Sequence, residues 1–200
     1  MGMFVQRLTV LTVALAFFGS TAQVEAQRRD SDRGHSDRNH SNRNHSHHGH
    51  DNREPDLSDL PKLQVPRGNK VSFHAYAVGV QIYSWNGTAW VFLKPEAVLY
   101  STDHGCGIVG IHYAGPTWES NSGSYVVGTV LEKAIVDPTA IPWLKLAGVD
   151  SDGPGIFDGT TFIQRLNTVG GIAPAQPGQA IGQEARVPYT ADYFFYEKSH

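Results

Sequence analysis

From Val71 to Tyr196 apolar and polar residues alternate with a period of two, in short runs cut apart by Gly, Pro and Asn. A run of this kind can bury one face of a strand but offers no stripe for a helix to bury. Nine segments carry the pattern: Val71 to Tyr76, Val80 to Trp85, Ala89 to Leu93, Ala97 to Tyr100, Ile108 to Tyr113, Tyr125 to Lys133, Trp143 to Val149, Thr160 to Asn167 and Ala191 to Tyr196. The expected fold is all-β, an antiparallel β-sandwich or barrel of about nine short strands. Trp85-Asn86-Gly87-Thr88 predicts a hairpin between the second and third of them, through a type I′ turn whose central residues take positive φ. Phe73, Trp90, Phe92, Trp118, Trp143, Phe162 and Phe194 are the expected core aromatics.

What precedes this region is different in kind. Arg7, the apolar stretch Leu8 to Phe18 and the small residues up to Ala26 predict a signal peptide over residues 1–26. That apolar stretch would rise roughly 16 Å as a helix, against about 30 Å of bilayer core, so it predicts export rather than a transmembrane span. The expected location is secreted, extracellular or periplasmic. Residues 27–62 form a His/Arg/Asp/Ser-rich tail of low complexity, built on Asp32-Arg33-Gly34-His35-Ser36 and its variants. Its composition predicts disorder, and the single β-domain is expected over 63–200. His45, His47, His48 and His50 place four imidazoles within reach of one ion and predict weak binding of Zn, Cu or Ni. A plain polar spacer has the same composition, and the interleaved Arg33, Arg38 and Arg43 oppose a divalent cation.

Sixteen Lys and Arg against nineteen Asp and Glu leave a net charge of −3, with no basic footprint for nucleic acid. One cysteine, Cys106, excludes an intramolecular disulfide framework and a cysteine-ligated cluster; it is expected to be a partly buried free thiol. Gly105-Cys106-Gly107-Ile108-Val109-Gly110 matches the dinucleotide fingerprint in letters. That motif works by opening a helix onto a pyrophosphate, and the β-prone run to Tyr113 followed by Gly115-Pro116 predicts no helix. The glycines are expected to serve a bulge or close strand packing. Asp150-Ser151-Asp152-Gly153 predicts a solvated turn rather than a calcium loop.

Several longer runs share a pattern: Gly79-Val80-Gln81-Ile82-Tyr83, Pro95-Glu96-Ala97, Gly110 to Glu119, Ile141-Pro142-Trp143-Leu144, Ile163 to Thr168 with Gly170-Gly171, and Val187 to Tyr196. Together, from Val65 onward and in order, they resemble the family of domain of unknown function 3455. The resemblance implies a secreted domain with no established activity. From the residues themselves, His112, Glu119, Arg165 and Asp192 interrupt otherwise apolar or neutral strands, where an unpaired charge is expensive. They are the candidate catalytic or binding groups, with Trp118 as the wall of a ligand pocket. The alternative is an Arg–carboxylate pair beside a satisfied histidine. The predicted function is a binding or structural module with a small-molecule or cell-surface ligand; a hydrolase-like small-molecule enzyme using His112 and Glu119 is the competing expectation.

Overall fold

The alternating runs fold into eight antiparallel strands: β1 (Asn69–Trp85), β2 (Trp90–Tyr100), β3 (Ile108–Tyr113), β4 (Thr117–Ser120), β5 (Tyr125–Ala134), β6 (Trp143–Asp152), β7 (Phe162–Gly170) and β8 (Glu184–Lys198). Each pairs with the next in sequence, and β8 returns to pair with β1 along nearly its whole length, from Asn69↔Lys198 to Ser84↔Glu184. The result is a closed up-and-down barrel, in which closure itself removes the sheet edges that an open meander would expose. The computed structural model describes residues 53–199. The leader and the histidine run His45, His47, His48 and His50 lie outside the described residues.

The all-β expectation holds, and of its two forms the barrel is the one formed. The strand list needs three corrections. Val71 to Tyr76 and Val80 to Trp85 are one strand, because Gly79 continues the extended chain where a Cβ would strike the backbone carbonyl of Glu96 on β2. Ala89 to Leu93 and Ala97 to Tyr100 are likewise one strand that runs through Pro95. The short β4 was not foreseen, since the corner at Gly115-Pro116 leaves only four residues before the next turn.

The hairpin is where the sequence predicts it, with Trp85 paired to Trp90, but it is not a type I′ turn. Only Gly87 has positive φ. The loop spans Asn86 to Ala89, held by the Asn86 amide donating to Ala89 O and by Asn86 Oδ1 accepting from the amides of Thr88 and Ala89. The glycine fingerprint also resolves as strand chemistry. Gly105 and Gly107 turn with positive φ, a register shift follows between Leu99 and Tyr100, and a Cβ on Gly110 would strike the Glu119 carbonyl. Val109 is the extra residue of that bulge and packs against the core, while Ile108 is exposed. Cys106 is exposed, not partly buried, because it rides on this loop.

Side chains of alternate positions fill the barrel: Phe73, Ala75 and Ala77 from β1, Leu99 from β2, Trp118 from β4, Val126, Leu146 and Ile163, and Tyr189, Ala191, Tyr193 and Phe195 from β8. At the end where β1 begins, the β6–β7 loop inserts Phe157, fully buried edge-on to Phe73 at 6.5 Å and against Phe195 at 4.5 Å. That end of the lumen is closed. A second cluster lies on the outer wall, where Leu57, Leu60, Leu63 and Val65 pack over Leu166, Phe194, Tyr196, Trp143 and Phe162. A 3-10 turn (Pro61–Leu63) fixes this strap, with Gln164 Nε2 donating to Leu63 O at 2.7 Å and Lys145 Nζ to Lys62 O at 2.5 Å. The border placed between residues 62 and 63 therefore falls inside the strap, and Leu57 belongs with the barrel. Of the expected core aromatics, Phe73 and Trp118 line the lumen, Phe194, Phe162 and Trp143 belong to the outer cluster, Trp90 is half-buried and Phe92 is exposed.

Candidate functional site

The end of the barrel opposite Phe157 is built differently. The β7–β8 loop crosses it on one side: Gln176 O accepts from Trp90 Nε1 at 2.8 Å, Gly171 O accepts from Tyr83 Oη at 2.6 Å, and Gly178 lies against the Trp85 ring. The other side is left open by the shortness of β3 and β4. β2 meets β3 only from Ala97 to Tyr100, and β5 meets β4 only from Tyr125 to Val127. Above them residues 90–96 and 129–134 have a neighbouring strand on one side alone, so a window stands between β2 and β5 over the Gly115-Pro116 turn. Pro95 sits on such a free stretch, where a residue without an N–H is tolerated.

Behind the window is a cavity of about 420 Å³, within the range of roughly 300–1,000 Å³ typical of small-molecule sites. Phe92, Leu93 and Val130 edge it, Ile141, Leu144 and Leu146 form apolar wall, and Trp118, His112, Tyr193, Gln81 and Arg165 make its inner end. Phe92, Leu93 and Val130 are each 49 % exposed. Leu93 is exposed at a bulge: the register shift between Ile82 and Tyr83 leaves it without a partner on β1.

Of the residues singled out in the sequence, three meet here and two do not. His112 lies in the lumen, its ring stacked on Trp118 at 4.3 Å and edge-on to Tyr193 at 5.2 Å. Its Nδ1 is 2.8 Å from Thr117 O, and a carbonyl can only accept, so Nδ1 carries the proton and donates. Burial pushes the imidazole pKa down to about 3, against the opposing pull of the Thr117 carbonyl and with help from the positive charge of Arg165. His112 is therefore neutral. Arg165 projects into the same space from β7, with Nε and Nη2 both donating to Pro142 O at 3.2 and 2.9 Å. It forms no ion pair with any described carboxylate, so the expected Arg–carboxylate pair does not form.

Glu119 and Asp192 face outward, each one step along its strand from a lumen residue, Trp118 and Tyr193. Glu119 accepts from Tyr113 Oη at 2.8 Å and raises the pKa of that phenol. Asp192 accepts from Asn167 Nδ2 at 2.7 Å and lies 3.8 Å from Nε2 of His74, a ring stacked on Phe194. Neither reaches the cavity. Tyr189, Tyr193 and Gln81 escaped the sequence reading because a Tyr or Gln at an inward position looks like ordinary strand filler; the inward phase of β8, fixed by Tyr189, Ala191 and Phe195, was the available signal. Burial raises the pKa of both phenols. The two hydroxyls and Gln81 Nε2 lie near one another, and the hydroxyls near Arg165, yet no hydrogen bond of proper geometry joins them; with Trp118 Nε1 they are buried polar atoms without a protein partner. Among the described residues no three His, Cys, Asp or Glu side chains gather as a metal site. Asp150, Ser151 and Asp152, expected in a solvated turn, are instead the last residues of β6, paired with Val127, Val126 and Tyr125, and Asp152 Oδ1 accepts from the Gly153 amide where the chain leaves the strand.

Fold and cavity together define an eight-stranded β-barrel sealed at one end, with a ligand-sized, mostly apolar lumen opening sideways at the other. The chain belongs to the family described as Protein of unknown function (DUF3455), whose model matches residues 66–197. No curated protein and no solved structure matches it.

Proposed function

We propose that this is a binding module that holds a small molecule inside its barrel. The observation that carries the proposal is a guanidinium, Arg165, unpaired with any described carboxylate at the inner end of a mostly apolar cavity of about 420 Å³. Eight strands give an interior just wide enough for packing side chains or one small ligand, and here the packing stops halfway. Binding is favoured over hydrolase-like chemistry because Glu119, the partner that would orient His112 as a base, is on the opposite face of the wall. His112 is held by a carbonyl instead, and its proton is fixed on Nδ1.

The leader over 1–26 supports export to an extracellular or periplasmic space, and the four histidines from His45 to His50 support loose capture of Zn, Cu or Ni by the tail. These belong to the same proposal: a barrel displayed behind a histidine-rich spacer. The test is a panel of small apolar and amphipathic compounds titrated onto the purified protein and onto Leu144→Trp, which fills the lumen. Native-state stabilisation by a subset of the panel, lost in Leu144→Trp while the unfolding midpoint is kept, is the expected result. Equal binding by both proteins would move the site elsewhere.

A further inference from the structure

The inner end of the cavity is rich in groups that can donate a hydrogen bond. Tyr189, Tyr193, Trp118 and Gln81 are each at most 2 % exposed, and their polar atoms without a protein partner are an indole N–H and an amide NH₂, which only donate, and two hydroxyls, which can donate or accept. Leaving one such group unsatisfied costs about 1–3 kcal/mol, and Gln81, Trp118 and Tyr193 among them line the cavity, so an acceptor brought there would meet donors. Arg165 adds direction. A guanidinium has five N–H donors; Nε and one Nη2 proton are spent side-on on Pro142 O. What remains is the end-on fork of Nη1 and Nη2, spaced for the two oxygens of one carboxylate.

We propose that the lumen takes an amphipathic monocarboxylate, its carboxylate on the free fork of Arg165 beside Tyr193 and Gln81, and its apolar body between Leu144, Leu146 and Val130, directed toward the window between β2 and β5. This rests on the lumen being a binding site. One cation among the described lumen residues matches one negative charge. A phosphate monoester, carrying about −1.5 to −2 at neutral pH, would bring buried charge that nothing there neutralises, and an amine would face Arg165 with no carboxylate to receive it. The exposed Phe92, Leu93 and Val130 continue the apolar wall to solvent, which allows a chain longer than the cavity to lie partly in the window.

The probes are decanoate, below its aggregation concentration, and decanol, titrated calorimetrically onto the purified protein and onto Arg165→Gln. Decanoate is expected to bind about tenfold or more tighter than decanol, the worth of one hydrogen-bonded charge. In Arg165→Gln that advantage disappears while decanol affinity is retained, which also shows the variant is folded. Equal affinity of acid and alcohol for the native protein overturns the carboxylate assignment and leaves the lumen as a binding site. An acid preference that survives Arg165→Gln overturns it equally. Binding of neither probe overturns both.

Discussion

His112 and Trp118 show how one buried pair sets both shape and pH behaviour. An imidazole whose pKa is about 3 in the fold and about 6.5 in the unfolded chain makes the unfolded state bind more protons between those values. Its contribution to stability is full above pH ~6.5 and is lost as pH falls toward ~3, a loss of a few kcal/mol. Denaturant midpoints measured at successive pH values should show this slope, and His112→Phe, which keeps the stack on Trp118, should flatten it. Beside them, Gly128 leaves room for the indole: a Cβ there would come within 2.9 Å of the Trp118 ring. Gly128→Ala is expected to destabilise by about 1–3 kcal/mol through overpacking, and Trp118→Ala by about 3–5 kcal/mol through the void it leaves. A Gly128→Ala protein as stable as the parent would show that the ring has room to move.

The elements were legible wherever alternation is clean, and illegible where a helix or sheet breaker is used inside a strand. Gly79 and Pro95 look like turn residues, yet they lie opposite one another's neighbourhood in the β1–β2 ladder, Gly79↔Ala97 and Gln81↔Pro95, one allowing close approach and the other occupying a stretch with no second neighbour. The site was half legible for a related reason. Polar residues in apolar strands mark exceptions, but alternation alone does not say which face is inward, and the choice of Glu119 and Asp192 over Tyr193 and Gln81 followed the charge rather than the phase. The free stretches at 90–96 and 129–134 carry a prediction of their own. Their amides should exchange with solvent faster than those of β1 and β8, which are paired to each other along their length. Uniform protection across the sheet would mean that the window is covered.

For the molecule as a whole, the strap carries the barrel's packing N-terminally of β1. Leu57 and Leu63 are buried against the outer wall, and fully burying a leucine is worth about 1.5–3 kcal/mol. A chain starting at Arg53 should therefore melt higher than one starting at Leu63, by several degrees for a domain of this size; equal midpoints would make the strap a passenger. Composition set residues 27–62 apart from the alternating region, but a few leucines among polar residues were too sparse to show that Leu57, Leu60 and Leu63 pack on the barrel. The lumen is the other feature that only the closed structure reveals, because it depends on two strands, β3 and β4, being too short to finish the wall. Methyl-resolved NMR of the purified protein titrated with decanoate separates it from the outer wall, where Val78, Val98 and Ile111 line a shallower depression. Saturable shifts centred on Val130, Ile141, Leu144 and Leu146 are predicted, whereas shifts centred on Val78, Val98 and Ile111, or none that saturate, would contradict a barrel that binds its ligand inside.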